Sequence, residues 1–126
     1  MKRTTQWLFI LAVLFFDKTQ AQASVDKEPH HKVVFENNDV RVIDLEVESG
    51  DTTLLHTHTF ASLVIFLSAS AFGIQNPGEQ PVITHVKSGD ILYRDYDEKP
   101  VTHRVWNQSS SPFHCLVVEL KKKKNE

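Results

Sequence analysis

The chain has 126 residues, enough for one domain, and its 16 acidic and 14 basic residues give a formal net charge of −2 at pH 7. Its one basic run, residues 121–124, lies near the end, so the sequence lacks the basic face that nucleic-acid binding requires. The single cysteine, Cys115, excludes an internal disulfide and lies in an apolar segment, so we expect a buried core thiol.

The first 23 residues have the pattern of a secretory signal peptide. Two basic residues precede the apolar run WLFILAVLFF, and the small-residue pattern AQA follows a polar segment. Because spanning a bilayer takes roughly 20 apolar residues, this run is too short to cross one. We therefore expect a secreted or periplasmic protein with no membrane association after cleavage. The alternative is a short anchor that is retained.

Four segments follow from this division of the sequence. Residues 1–23 are the predicted signal peptide, and residues 24–32 a predicted leader outside the core. Residues 33–120 are the predicted domain, and residues 121–126 a solvated basic tail. Within the leader, we expect the adjacent residues His30 and His31 to lie at the surface, because imidazoles without an evident partner are usually exposed.

Alternation of apolar and polar residues predicts strands through most of the domain. VRVIDLEVE alternates regularly and predicts a half-buried strand, whereas HTHTFASLVIFL is apolar on both faces and predicts a central strand. The segments SGDT, NPGEQP and KSGD predict turns. Further strands are predicted over FGIQ, VITHV, ILYR, HRVWN and FHCLVVEL. No helical period is evident, so the sequence predicts an all-β sandwich or barrel.

Two histidines, His56 and His58, begin the central strand. Residues two apart on a strand point to the same side, so both imidazoles can approach one ion at about 2.0 to 2.1 Å. The segment GDTTLLHTH that contains them resembles the first sequence signature of the cupins, a glycine followed after five residues by His-x-His. HRVWN, residues 103–107, resembles the end of the second cupin signature, a histidine and, four residues later, an asparagine.

The resemblance to small, exported, single-domain cupins covers nearly the whole chain after residue 23. It implies a double-stranded β-helix, the RmlC-like jelly-roll barrel of the cupins. It also implies that His56, His58 and His103 bind a divalent transition metal, which could be Zn, Fe, Mn or Ni. Gly50 and Gly89 would then occupy turns at positive φ. Asn107, which ends the second signature, would have a structural role.

The sequence departs from the cupin signature at the position of the metal-binding glutamate. Ser62 and Leu63 stand four and five residues after His58, where that glutamate is expected. Three neutral imidazoles can still hold a metal, and the alternative is a barrel without an ion. A carboxylate could also come from the polar loop that holds Asp95, Asp97 and Glu98.

Strand parity predicts which other residues face the lumen. We expect Tyr93 and His114 to point inward and contact a bound small molecule, and Glu119 to face water. Apolar residues on the opposite faces, among them Leu63 and Val117, predict a homodimer. The expected function is an exported cupin that binds a metal and acts on or binds a small molecule. The alternative is a metal-free ligand-binding or structural module, and enzymatic activity is left open.

Overall fold

The computed structural model describes residues 22–121, and within this range the chain is almost entirely β-structure. A single 3₁₀ turn covers Val25–Lys27. The strands are β1 (Ala23–Ser24), β2 (His31–Glu36), β3 (Val40–Val47), β4 (His56–His58), β5 (Ala61–Phe66), β6 (Ser70–Gln75), β7 (Val82–Val86), β8 (Ile91–Arg94), β9 (Val101–Asn107) and β10 (Phe113–Leu120). The all-β prediction is confirmed. The predicted signal peptide up to residue 21 and the tail from residue 122 lie outside the described range.

The strands form two five-stranded sheets. The first has the order β1-β4-β9-β6-β7 and the second the order β2-β3-β10-β5-β8. β1 pairs with β4 in parallel, and the other paired strands are antiparallel. In the second sheet β10 lies between β3 and β5, so the last strand occupies the centre. No helix between residues 22 and 121 is long and apolar enough to cross a membrane.

The core lies between the two sheets and includes a cluster of phenylalanines. The ring of Phe72, from the first sheet, lies 4.5 Å from that of Phe113 and 5.8 Å from that of Phe66, both from the second. Cys115 packs within the same core, and burial raises the pKa of its thiol to about 12. The prediction of an unreactive core thiol is confirmed, because only the thiolate is a strong nucleophile.

Each of the three predicted turns contains a glycine at positive φ. Gly50 has a φ of 77° and Gly89 a φ of 91°, both in the left-handed region that residues with a Cβ rarely adopt. Gly50 precedes β4, which carries His56 and His58, and Gly89 precedes β8. The turn prediction for Gly50 and Gly89 is confirmed.

The inward-facing side of β10 is the opposite of the one predicted. Phe113, Cys115, Val117 and Glu119 point to the interior, and Glu119 is fully buried rather than solvated. Glu119 lies opposite Arg41 of β3, whose Nε donates a hydrogen bond of 2.6 Å to Glu119 Oε2. The prediction was wrong because it treated an acidic residue as a marker of the solvent face. Val117 consequently belongs to the core and not to an outer apolar surface.

Residues 24–32 were predicted to be a leader outside the core, and this is a second correction. β1 and the 3₁₀ turn pack on the barrel, with Val25, Glu28 and His31 all buried. The backbone of Ala23 also donates a hydrogen bond to Leu55 O, and Gln22 Nε2 donates one to Thr57 Oγ1. The segment therefore supplies β1, an edge strand of the first sheet, and leads into β2, an edge strand of the second.

Asn107 has the structural role that the sequence predicts, and its removal should be measurable. Its Nδ2 donates to the carbonyls of Val47 and Ser111, and its Oδ1 accepts from the Ser109 amide. We expect Asn107→Ala to lower the free energy of unfolding by about 2 to 3 kcal/mol, since these are largely buried hydrogen bonds worth about 1 kcal/mol each. Urea denaturation measures this. Asn76→Ala, which removes an exposed turn contact to Glu79, is the control and should change stability by less than about 0.5 kcal/mol.

Candidate metal centre

Four histidines meet at one end of the barrel. His56 and His58 lie on β4, and His103 of β9 is directly opposite His56 in the sheet. The ring centroid of His103 lies 4.8 Å from that of His56 and 5.0 Å from that of His58. The fourth, His31, begins β2, and its centroid lies 4.4 Å from that of His56. The structure thus places His103 near His56 and His58 and adds His31, but the close group of possible ligand atoms consists of His31, His56 and His58, without His103.

Nitrogen atoms of His31, His56 and His58 lie within 4.8 Å of one another, close enough to bind a metal ion. Two nitrogens bound to the same ion at about 2.1 Å can be at most about 4.2 Å apart, so small ring movements would close the remaining gap. The assignment of His56, His58 and His103 as the ligand set stays a prediction.

Two buried ring nitrogens of this cluster have no hydrogen-bond partner among residues 22–121. His56 Nδ1 donates to the carbonyl of Leu54 at 2.9 Å, so His56 Nε2 carries a lone pair. His56 Nε2 and His58 Nδ1 are both buried without a partner among the described residues. Buried polar atoms are nearly always satisfied in native proteins, and a metal ion would satisfy these two. The donor set therefore fits a divalent transition metal.

His56, His58 and His103 are held in the neutral form that metal binding needs. Burial, followed by the proximity of the other histidines, lowers the pKa of His56 to about 4, of His58 to about 2 and of His103 to about 3. Protons therefore do not compete for the ring nitrogens at pH 7. Metal affinity would not be lost through protonation of these imidazoles until the solution is strongly acidic.

His31 was predicted to lie at the surface, and this prediction is wrong. It is 5% exposed, and its Nδ1 donates a 2.6 Å hydrogen bond to the buried carboxylate of Glu28. His30 is half-buried and bridges Glu28 to Asp51. The surface prediction rested on the general tendency of imidazoles without an evident partner to be exposed. The signal that could have revealed the site is Glu28 itself, an acidic residue three positions before His31.

Among residues 22–121, no carboxylate oxygen belongs to the close group of possible metal-binding atoms, so none takes the place of the glutamate in the cupin signature. Ser62 is buried, and its Oγ donates to the carbonyl of Phe60. Across the sheet it lies opposite Glu119 on one side and Arg94 on the other. Glu119 Oε1 is buried without a partner, yet the close group of metal-binding atoms contains histidines alone among the described residues.

A cavity of about 60 Å³ opens onto the four histidines. Most of its wall is apolar and comes from both sheets, with Arg94 as the one ionised side chain among the described lining residues. The ring of Tyr96 stacks on His58 at 5.2 Å, and the Tyr96 side chain is hydrogen-bonded to Arg94. Burial raises the pKa of Tyr96, so its hydroxyl stays protonated. One water molecule needs about 10 to 15 Å³ of such space, so the cavity has room for roughly four to six non-hydrogen atoms.

Tyr93 and His114, the predicted ligand-binding residues, lie outside this cavity. Tyr93 is 57% exposed, and His114 Nε2 donates to Asp44 Oδ1 on the outer face of the second sheet. The predicted inward orientation of both side chains is wrong. In β8 the inward residues are Leu92 and Arg94, because the register places Arg94 opposite Ser62. A basic residue at the interior face was not expected from its polarity.

Solved cupin structures are similar to this chain. A cupin-domain protein from Bordetella pertussis Tohama I matches with a TM-score of 0.66 at 24% identity, over 73% of this chain and 92% of that one. A protein with a double-stranded β-helix domain from Klebsiella pneumoniae matches with a TM-score of 0.57 at 24% identity, over 79% and 83%. An RmlC-like cupin family protein from Methanocaldococcus jannaschii has a TM-score of 0.57 at 15% identity, over 72% and 78%.

The topology and these similarities show that the chain has the double-stranded β-helix fold of these solved structures, as the sequence predicted. At identities this low, the similarities show a shared fold and do not show a shared activity. No protein-family model matches the sequence, and no curated protein matches it.

Acid should destabilise the metal-free protein. The pKa values of His56, His58 and His103 lie far below the usual 6.5, so the unfolded chain binds protons first as the pH falls. The stability that these neutral imidazoles contribute is therefore present above about pH 6.5 and is lost progressively as the pH falls below that value. We expect a decrease of about 2 kcal/mol or more between pH 7 and pH 5, measured by urea denaturation in the presence of a chelator. The pKa of His30 is raised, so this one residue favours the folded state as the pH falls and partly offsets the loss of stability.

The variant His58→Gln, which removes one of the non-titrating buried imidazoles, should show a shallower dependence on pH. An unfolding free energy that does not change between pH 7 and pH 5 in the parent protein would contradict the neutral state of the cluster.

Proposed function

We propose that this protein is an exported cupin that binds a divalent transition metal at its histidine cluster and acts on or binds a small molecule in the adjoining cavity. The observation that carries the proposal is the pair of buried, unpartnered ring nitrogens, His56 Nε2 and His58 Nδ1. His103, which faces His56 across the sheet, is the proposed third ligand. Imidazole donors suit Zn, Fe, Ni and Cu better than Mg, and Mn is the less favoured of the expected ions.

The residues around the cluster have separate proposed roles. A divalent ion held by these imidazoles would supply Lewis-acid chemistry to the site. Tyr96 covers one side of His58 and limits the access of water. Arg94 provides a positive charge at the cavity wall, where it can orient an anionic group of the small molecule. The apolar wall supplies the remaining contact surface.

Metal binding is tested with untagged protein. We expect the chelator-stripped parent to bind about one equivalent of Zn²⁺ or Co²⁺ in a titration at pH 7. His56→Ala and His103→Ala should lower the affinity by at least about tenfold, because each removes a proposed ligand. His85→Ala changes an exposed histidine on β7 and serves as the control. A parent protein that remains metal-free after Zn²⁺, Fe²⁺, Mn²⁺ and Ni²⁺ have been offered contradicts the proposal.

The second candidate function is a metal-free module that binds a small anion, and the position of Arg94 favours it. Arg94 lines the cavity, and no ion pair among residues 22–121 involves its guanidinium. A guanidinium pairs well with a carboxylate, and the pairing is strengthened in a site of low polarity. The volume of the cavity limits such a ligand to a short-chain acid.

The anion preference is tested with a panel of short carboxylic acids of two to four carbons and their matching amides. We expect the metal-free parent to bind the acids more tightly than the amides in calorimetric titrations. Arg94→Gln should reduce binding of the acids about tenfold or more, the loss of roughly 1.4 kcal/mol of a charge-assisted contact. Arg104→Gln is a matched control, because Arg104 pairs with Gln75 away from the cavity. Equal binding of acids and amides would contradict the assignment.

Export and self-association are further proposals. The sequence of residues 1–23 supports export, which sequencing of the N-terminus of the secreted protein would test. Leu63, Ile65, Ile91 and Tyr93 lie on the outer face of the second sheet, where the last two are exposed, and this apolar surface supports a homodimer. The molar mass in solution, measured by light scattering, tests that proposal.

A further inference from the structure

We propose that His31 is an additional ligand of the metal and that Glu28 is the residue that positions it. This inference rests on the metal site proposed above. It assigns a role to the N-terminal part of the described chain, residues 24–32, which carries neither of the two cupin signatures. The starting observation is that the third member of the close group formed with His56 and His58 is His31. No carboxylate residue among the described residues belongs to this group.

The contacts of Glu28 fix the orientation of the His31 ring. Glu28 Oε2 accepts hydrogen bonds from His31 Nδ1 at 2.6 Å and from the His30 amide at 2.9 Å. Glu28 Oε1 accepts from His30 Nδ1 at 2.8 Å and from the Leu54 amide at 3.0 Å. Because His31 Nδ1 is engaged by the carboxylate, Nε2 is the ring nitrogen left to bind a metal.

The carboxylate of Glu28 is fully buried, and it is nonetheless ionised. Burial alone would raise its pKa, but the hydrogen bonds from His31, His30 and the Leu54 amide outweigh that effect. A buried carboxylate is retained only when donors satisfy it, and here each oxygen accepts two hydrogen bonds. The side chain is therefore a rigid support for one particular ring orientation.

A carboxylate that accepts a hydrogen bond from a metal-binding imidazole fixes its tautomer and raises its basicity. Through this contact Glu28 brings one negative charge to the neighbourhood of the ion without binding it. The cupin signature would place such a charge at the position of Ser62, and Ser62 instead hydrogen-bonds the Phe60 carbonyl. The charge near the ion thus comes from the N-terminal segment, and the donor set is nitrogen alone, which favours Zn²⁺, Co²⁺ and Ni²⁺ over Mn²⁺.

The protein offers a matched control for this arrangement. His114 and Asp44 form a second histidine–carboxylate pair with a 2.7 Å contact, on the outer face of the second sheet. Neither residue lines the cavity. Changes to that pair therefore remove the same kind of hydrogen bond at a site that is remote from the proposed ion.

The experiment is a competition titration of Zn²⁺ with the full chain and its variants at pH 7. We expect His31→Ala to lower Zn²⁺ affinity by at least about tenfold and Glu28→Gln by about 10- to 100-fold, as for other residues that support a metal ligand. His114→Gln and Asp44→Asn should leave the affinity unchanged. Circular dichroism establishes that each variant is folded.

A second measurement does not depend on the folding of any variant. In the parent protein labelled with ¹⁵N at histidine, addition of Zn²⁺ should shift the Nε2 resonance of His31 as it shifts the bound nitrogens of His56 and His58. Zn²⁺ binding that shifts the resonances of the other histidines and leaves His31 unchanged overturns this inference while the proposed function stands. A parent protein that binds no Zn²⁺ overturns both.

Discussion

The histidine site depends on one buried carboxylate, that of Glu28. Its four hydrogen bonds join the start of β2 to Leu54, just before the short strand β4. β4 has three residues, so its sheet pairing alone gives it little support. Transferring an ionised carboxylate into the interior costs several kcal/mol, and only a complete set of donors offsets that cost. Loss of any one donor would therefore disturb the arrangement of His31 and His56 together.

A row of charged and polar residues crosses the second sheet near the same end of the barrel. Arg41, Glu119, Ser62 and Arg94 stand side by side on β3, β10, β5 and β8. Glu119 is engaged by Arg41, which also lies 3.8 Å from Asp26. A glutamate in place of Ser62 would be buried next to Glu119, where two carboxylates could not both remain ionised at low cost. The serine is thus compatible with its neighbours as well as with a metal site made of imidazoles.

Features that depend on local sequence were predictable, and features that depend on pairing between distant strands were not. The strands, the glycine turns and the proximity of His56 to His103 follow from a two-residue period and from spacing within signatures. The inward positions of Glu119 and Arg94 and the burial of His31 do not. Arg41 and Glu119 are 78 positions apart, so nothing near Glu119 in the sequence reveals that its charge is compensated inside the protein. Assigning charged residues to the solvent face therefore inverted the parity of β8 and β10.

The central position of β10 has a consequence for the order of folding. β3 and β5 do not pair with each other, and β10 fills the space between them. Until residues 113–120 are available, the second sheet exists only as two separate pairs, β2 with β3 and β5 with β8. Each pair then presents an unpaired strand edge, which is a template for association with other chains. A nascent or shortened polypeptide that ends before Phe113 is for this reason an aggregation-prone species rather than a smaller barrel.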